Sequence, residues 1–173
     1  LVNFLEKYII NIPNGFKMNK RKLKIYLADL IHDRHIYNYS VPLNVGYIAA
    51  MVNKRLGKGI EIKIFKFPDD LISAMKSSSP DILALSNYDW NVNLNKAIIK
   101  IARQINHNVF VVMGGPNIKK HADGIKIFLL NSPIDLYVVN EGEDAFSILI
   151  EYIERKMMVC FIFVISLSHA CLQ

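Results

Sequence analysis

One short segment of the sequence combines residue types that suit the binding of a large ligand. Ser86–Asn91 holds the only tryptophan of the chain, next to a tyrosine, an aspartate and two asparagines. A flat aromatic surface with amide donors suits a large conjugated molecule. The structural alternative is a hydrophobic plug in which Asn91 caps the following helix. The candidate binding residues of this segment are Ser86, Tyr88, Asp89, Trp90 and Asn91.

Two further segments offer backbone and carboxylate groups. Gly114, Gly115, Pro116 and Asn117 follow an apolar run, and paired glycines let a backbone approach a bulky ligand and adopt positive φ. A plain tight turn is the alternative. Glu141, Gly142 and Glu143 follow a second apolar run, where helix capping by acidic residues is the alternative. We therefore expect binding only if these segments share one rim with Ser86–Asn91.

A histidine near the first apolar run is a candidate metal ligand. Asp33 lies two residues before His35, in the position of a carboxylate that orients a metal-bound imidazole. The alternative is a histidine of a surface loop. The other histidines form no cluster with metal-ligand spacing: His32, His107, His121 and His169.

The sequence lacks the motifs of several common ligand-binding and catalytic sites. The sequence contains no GxGxxG dinucleotide fingerprint, no GxxxxGK[ST] phosphate loop and no GxSxG nucleophile elbow. Its two cysteines exclude a disulfide framework and, within this chain, any iron–sulfur cluster that needs three or four cysteines.

Composition narrows the class of protein further. With 52% hydrophobic and 21% charged residues, the chain is not intrinsically disordered. The net charge of +6 sits partly in residues 20–24 and 54–58, but no aromatic residues interleave with these clusters, so we do not expect nucleic-acid binding.

The longest apolar run, Met157–Leu167, is shorter than the ~20 residues that cross a bilayer. Without a signal-peptide pattern at the start, we expect a cytoplasmic protein with no membrane partner.

Strand and helix signals alternate along the chain. Strands are predicted at 23–29, 60–67, 81–86, 109–113 and 136–139, with helices between them and after the last. Such βα units predict a parallel sheet with helices on both faces, whose ligands lie beyond the carboxyl ends of the strands. The helix after the third strand should bury one face, made of Leu94, Ala97, Ile98, Ile101, Ala102 and Ile105.

The predicted organisation has three parts. Residues 1–20 form a leader, residues 21–157 an α/β domain, and residues 158–173 an apolar tail. The tail is either a sixth strand or the product of a truncated or frame-shifted reading frame.

Four motifs in the right order resemble one family. Val111–Asn117 is similar to its VV.GGP pattern, Ile134–Glu143 to D.VV.GEGE, Pro80–Asn91 to PDI.G.S.Y.WN, and Pro42–Ala50 to P.GLGYLAA. Over roughly residues 22–156 the chain resembles the N-terminal cobalamin (B12)-binding domain of the B12-dependent radical SAM proteins. One departure is Asn140, where the family has the first glycine of GEGE.

The resemblance implies a fold and a set of roles. The fold is α/β and flavodoxin-like (Rossmann-like), with a parallel five-stranded sheet of order 2-1-3-4-5 that holds cobalamin over its carboxyl edge. By this analogy the nucleotide tail passes Gly114 to Asn117, the corrin lies against Ser86–Asn91 with Asp29 nearby, and Glu141 to Glu143 close the far rim. His35 is the candidate lower ligand of cobalt, although Asn38 replaces the glycine of the DxHxxG motif.

The predicted function is a cobalamin-binding module, the N-terminal part of a B12-dependent radical SAM enzyme of the methyltransferase type. The CxxxCxxC motif is missing, so the 4Fe–4S cluster and S-adenosylmethionine are expected only in a downstream catalytic domain, normally in cis. This chain by itself is therefore not expected to catalyse the reaction. The alternative is a cofactor-free, flavodoxin-like signalling or interaction domain. Ser86, at the end of the third predicted strand, counts against a phosphoacceptor receiver, which needs an aspartate there.

Overall fold

The computed structural model of the chain describes residues 22–32, 41–119, 122–139 and 141–155. The predicted leader, the predicted tail and His35 lie outside these residues. Within them, no helix is both long enough and apolar enough to cross a membrane.

Five parallel strands form one sheet in the order β2-β1-β3-β4-β5, which confirms the predicted fold. The strands are β1 (Leu23–Ala28), β2 (Ile60–Phe65), β3 (Ile82–Ser86), β4 (Phe110–Gly114) and β5 (Leu136–Val138). The helices are α1 (Leu43–Leu56), α2 (Pro68–Ser77), α3 (Val92–Ile105), α4 (Ala122–Leu130) and α5 (142–155).

Two apolar cores sandwich the sheet. One core joins the sheet to α1 and α5, with Val45, Phe146 and Ile150 among its buried side chains. The other joins the opposite face to α2, α3 and α4. Strands β1 and β3 are buried along their whole length, because both of their faces are covered. Their continuous apolar runs in the sequence have this cause.

The buried face of α3 differs from the predicted one. Of the six predicted positions, Ile98 and Ala102 are buried and Ala97 is exposed, while three are half-buried against the same core: Leu94, Ile101 and Ile105. Asn95 and Ile99 are buried in addition. Asn95 is accommodated in the core because its Nδ2 donates a hydrogen bond of 2.7 Å to the Ser86 carbonyl oxygen. A purely apolar pattern could not show that a polar side chain belongs to the core.

A charged clamp joins α3 to the amino ends of β4 and β5. An Oδ2 of Asp135 accepts from Arg103 Nη2 at 2.6 Å and from the Val111 amide at 2.6 Å. Arg103 also donates to the Val109 carbonyl oxygen at 2.6 Å. The Asp135 carboxylate thus fixes a helix and a strand whose bonded residues lie 32 and 24 positions earlier in the sequence.

The clamp predicts a clear difference between two arginine substitutions. Arg103→Gln should lower the free energy of unfolding by about 1–3 kcal/mol, because the Asp135 carboxylate loses a charged donor. Arg155→Gln is the control: this exposed arginine pairs with Glu151 on the same helix, and its loss should cost less than about 0.5 kcal/mol. Urea unfolding measures both values. Equal losses in the two variants would show that the clamp does not stabilise the sheet.

Candidate functional site

An open cleft lies at the carboxyl ends of the strands, between the sheet and helices α1 and α5. Its volume is about 460 Å³. The floor and walls are mostly apolar and consist of Leu27, Val45, Ile48, Ala84, Val112, Val138 and Phe146. The order of the strands reverses between β1 and β3, so this edge is where a parallel sheet of this kind holds its ligands.

The polar groups of the cleft are confined to its rim. They include Asn44 at the start of α1, Ser86 at the end of β3, Tyr88 in the loop that follows, and Glu141 and Glu143 at the start of α5. A cleft of this composition can enclose an apolar, flat group and hydrogen-bond polar substituents at its mouth.

The paired glycines at the end of β4 are needed for contacts within the protein. Gly115 has φ +136°, and a Cβ atom there would lie 2.5 Å from the Asn87 carbonyl oxygen. At Gly114 a Cβ would lie 3.3 Å from the Val138 carbonyl oxygen. The loops after β3 and β4 can therefore touch only because Gly115 has no side chain.

Three buried asparagines, spaced four residues apart, hold the loops of the rim. Asn87, Asn91 and Asn95 are all fully buried. Asn91 Oδ1 accepts from the Tyr88 amide at 2.9 Å and from Asn95 Nδ2 at 3.2 Å, while Asn91 Nδ2 donates to the Leu30 carbonyl at 3.4 Å. Asn91 precedes the first residue of α3, but its side chain makes no capping hydrogen bond to the helix. Instead, this side chain connects the loop after β3 to the loop after β1.

Asn87 makes the matching connection on the other side. Its Nδ2 donates to the Asn117 carbonyl at 3.0 Å and to the Tyr137 hydroxyl at 3.3 Å. Its backbone amide donates to the Gly114 carbonyl at 2.7 Å, and its carbonyl accepts from the Asn117 amide at 3.3 Å. Sequence reasoning missed Asn87 and Asn95, although the regular spacing of the three asparagines was a readable signal.

The Tyr137 hydroxyl completes this network by donating to the Gly115 carbonyl at 2.9 Å. Burial raises the pKa of Tyr137 above its usual 10.0, and the hydrogen bond from Asn87 partly opposes the shift. The neutral phenol is therefore the form that the folded protein favours.

An aromatic pair stands beside the mouth of the cleft. The rings of Tyr88 and Trp90 are stacked, with centroids 4.3 Å apart and planes 7° apart. Asn44 Nδ2 lies 3.3 Å from the Tyr88 hydroxyl, and His32 Nε2 lies 2.6 Å from the Trp90 carbonyl oxygen. The Trp90 side chain remains 61% exposed, so its ring offers a free aromatic surface.

The structure brings most predicted residues together, in two neighbouring places. The cleft is lined by eight of them: Ser86, Tyr88, Gly114, Gly115, Pro116, Glu141, Gly142 and Glu143. A neighbouring groove is lined by Tyr88 and Pro116 again and by Asp89, Trp90 and Asn117. Tyr88 and Pro116 thus separate the cleft from the groove.

Two predicted residues line neither surface. Asp29 accepts a hydrogen bond from the Ser86 hydroxyl, and Asn91 is enclosed by the asparagine network. Both hold residues of the rim in place. Sequence reasoning did not name Asn44, Val45 and Ile48 as site residues, although the resemblance of Pro42–Ala50 to a family helix pointed to this segment. No cluster of three or more metal-ligating side chains occurs among the described residues.

A family model of the B12 binding domain matches residues 31–150. The chain belongs to the B12-binding domain family.

Relatives of this B12-binding domain include methyltransferases. It is 30% identical, over 121 residues, to an uncharacterized methyltransferase, PH0819, of Pyrococcus horikoshii, covering 66% of this chain and 25% of that protein. It is 36% identical, over 67 residues, to the cobalamin-dependent radical SAM methyltransferase TokK of Streptomyces tokunonensis, covering 39% of this chain and 10% of TokK. The chain therefore spans a quarter or less of the length of these relatives.

Solved structures share the fold of this B12-binding domain at low sequence identity. A cobalamin-binding protein from Desulfitobacterium hafniense superposes with a TM-score of 0.55 at 15% identity, covering 76% of this chain and 59% of that one. The orphan response regulator HP1043 of H. pylori superposes with a TM-score of 0.53 at 13% identity, covering 75% of this chain and 94% of that one. At these identities the likeness concerns the fold alone.

The glycine contact predicts a graded effect of added methyl groups. Gly115→Ala should lower the free energy of unfolding by about 2 kcal/mol or more, because it combines positive φ with a clash against Asn87. Gly46→Ala is the control. Gly46 lies inside α1, and a Cβ atom added there would meet nothing within 4 Å. This substitution should stabilise the domain by about 0.5–1 kcal/mol. Urea unfolding tests both, and a neutral Gly115→Ala would contradict the assigned contact.

The buried phenol predicts a loss of stability at alkaline pH. The folded-state pKa of Tyr137 is raised, so its contribution is complete below about pH 10, the unfolded value. It is lost as the pH rises through the folded-state pKa. The Tyr137→Phe variant should therefore lose less stability between neutral and alkaline pH than the parent chain, as measured by unfolding at each pH.

Tyrosinate absorbance at about 295 nm provides the matched control for this prediction. Burial also raises the pKa of Tyr26, with Lys63 lowering it and Glu61 raising it more weakly. Tyr26→Phe and Tyr137→Phe should each remove one late-ionising tyrosine, and the double variant should remove both. An unchanged late phase in Tyr137→Phe would refute the burial effect.

Proposed function

We propose that the chain is the cobalamin-binding module at the N-terminal side of a B12-dependent radical SAM enzyme of the methyltransferase type. The observation that carries the proposal is the apolar cleft at the carboxyl edge of the sheet, whose lining residues lie, except for Leu27, in the segment that matches the B12 binding domain. The radical SAM context is supported by the similarity to TokK over 67 residues. A 4Fe–4S cluster and S-adenosylmethionine would then belong to a catalytic domain downstream in the same cytoplasmic protein.

The residues of the cleft fit such a cofactor. Gly114, Gly115 and Gly142 present backbone without side chains on the cleft surface. The walls are apolar and include Val45, Val138 and Phe146. Such walls suit a planar group, because its apolar surface is removed from water on binding. Hydrogen-bonding groups stand at the mouth, where a cofactor with polar substituents needs them.

Bound cobalamin supplies a methyl group carried on cobalt, and the protein supplies binding and orientation. In this proposal Gly114, Gly115, Pro116 and Asn117 form the wall along which the nucleotide tail enters the cleft. Ser86, Tyr88 and Trp90 support one side of the corrin, with Asp89 beside them. Glu141, Gly142 and Glu143 close the opposite rim.

Asp29 and Asn91 are proposed as positioning residues of the same site. The Asp29 carboxylate fixes the Ser86 hydroxyl, and the Asn91 side chain fixes the Tyr88 backbone and the loop after β1. Neither has to touch the cofactor to affect binding, because each sets the position of a residue at the mouth.

Filling the cleft should abolish cofactor retention. Ile48 lines the cleft, whereas its neighbour Tyr47 is 62% exposed on the outer side of α1. The parent chain should retain about one corrin per chain after mixing with hydroxocobalamin or methylcobalamin and desalting, as read by visible absorption. Ile48→Trp should lose at least about 90% of that retention, because the larger ring occupies the cleft. Tyr47→Trp should retain the cofactor like the parent.

Two outcomes of this titration would change the proposal. If the folded parent chain and Tyr47→Trp retain no corrin, the cofactor-free interaction domain becomes the better description. If the His35→Ala variant binds with an unchanged spectrum, His35 is not the lower ligand of cobalt. A shift of the corrin bands in His35→Ala, with unchanged bands in His107→Ala, is the result expected for a histidine ligand.

A further inference from the structure

The edge strand β2 has an outer side that no other described strand covers. It stands at the end of the sheet, with β1 as its neighbour. The Asp29 amide donates to the Phe65 carbonyl oxygen at 3.1 Å, so the main-chain groups of Phe65 face β1. Because strand residues alternate in direction, the N–H and C=O groups of Ile60, Ile62 and Ile64 face away from the sheet.

The side chains of β2 alternate in a pattern that a second copy can complete. Ile60 and Ile62 belong to the core beneath α1, while Ile64 lies 42% exposed. On the opposite face, Lys63 Nζ lies 3.6 Å from Glu61 Oε1, and both side chains are at least 40% exposed. Along the edge, the acidic Glu61 therefore precedes Ile62 and the basic Lys63 follows it.

We propose that two copies of the chain pair through β2 in antiparallel orientation, about a two-fold axis at Ile62. This register joins the three residues whose main-chain groups face outward: Ile62 pairs with itself, and Ile60 pairs with Ile64 of the second copy. Each such pair exchanges two main-chain hydrogen bonds, as in a regular antiparallel ladder. The two sheets become one sheet of ten strands, and the exposed Ile64 side chain meets an apolar neighbour.

Charge selects this register over its neighbours. With the axis at Ile62, each Glu61 stands opposite Lys63 of the second copy, twice per dimer. An axis at Glu61 would oppose two glutamates, and an axis at Lys63 would oppose two lysines. Residues directly opposite in such non-hydrogen-bonded positions are close, and like charges there are unfavourable. The occupant that matches this edge is thus a second copy of the same strand.

The pairing leaves the cleft accessible. The cleft is lined by residues of β3, β4, β5, α1 and α5 and of their loops, together with Leu27 of β1. No residue of β2 lines it. Dimer formation and cofactor binding are therefore separate properties that can be tested independently.

A charge-swap series on the 173-residue chain tests the proposal. Sedimentation velocity from about 10 µM to about 500 µM should show a concentration-dependent shift from one chain to two. Lys63→Glu and Glu61→Lys should each weaken the dimer by roughly tenfold or more, since each replaces two attractive pairs by two repulsive ones. The double variant, Glu61→Lys with Lys63→Glu, should restore the dimer because it exchanges the charges in the same register.

Lys96→Glu is the control for net charge. Lys96 is exposed on α3, away from the strand edge. Lys96→Glu therefore changes the net charge as Lys63→Glu does without altering the proposed interface. It should leave the dimer constant within about twofold, and circular dichroism of each variant confirms that the fold is kept. A monomeric parent chain at the highest concentration would overturn the proposal. So would a dimer that is indifferent to Lys63→Glu, or one that the double variant fails to restore.

Discussion

The geometry of the candidate site depends on the buried amide network of Asn87, Asn91 and Asn95. These side chains connect the loops after β1, β3 and β4 with the Tyr137 hydroxyl on β5. A buried amide costs free energy unless it is hydrogen-bonded, and each bond that satisfies one here fixes a loop of the rim. Among the described residues, the Oδ1 atoms of Asn87 and Asn95 lack a protein partner, which leaves acceptors for ordered water.

The network explains why the cleft and the neighbouring groove have their shapes. Gly115 lets the loop after β4 reach the Asn87 backbone, and Tyr88, stacked on Trp90, stands with Pro116 between the two surfaces. The apolar walls come from the strands and from α1 and α5 on one side of the sheet, whereas the polar groups lie where strands end and helices begin. A rigid rim over an apolar cleft follows from this division, and it is the arrangement on which the proposed cofactor binding rests.

Much of the fold could be predicted because its signals are local. The apolar runs of β1, β3 and β4 and the spacing of Phe146, Leu149, Ile150 and Ile153 on α5 are properties of short segments. The burial of Asn95 on α3 could not be predicted in this way. Asn95 enters the core because the Ser86 carbonyl lies within 2.7 Å of its amide, and that distance exists only after β3 and α3 have packed.

The sequence by itself determined the alternation of strands and helices, the parallel sheet and the loops that carry the site. These depend on periodicity, on turn residues and on the rule that parallel strands end at one edge. Only the tertiary structure decided that Gly115 serves a contact with Asn87, that Asn91 is enclosed, and that Asp89, Trp90 and Asn117 line a groove beside the cleft. The physical reason is that burial and hydrogen bonding between distant segments assign each polar residue of a loop to the interior or to the surface. Residue types and spacing along the chain do not contain those distances.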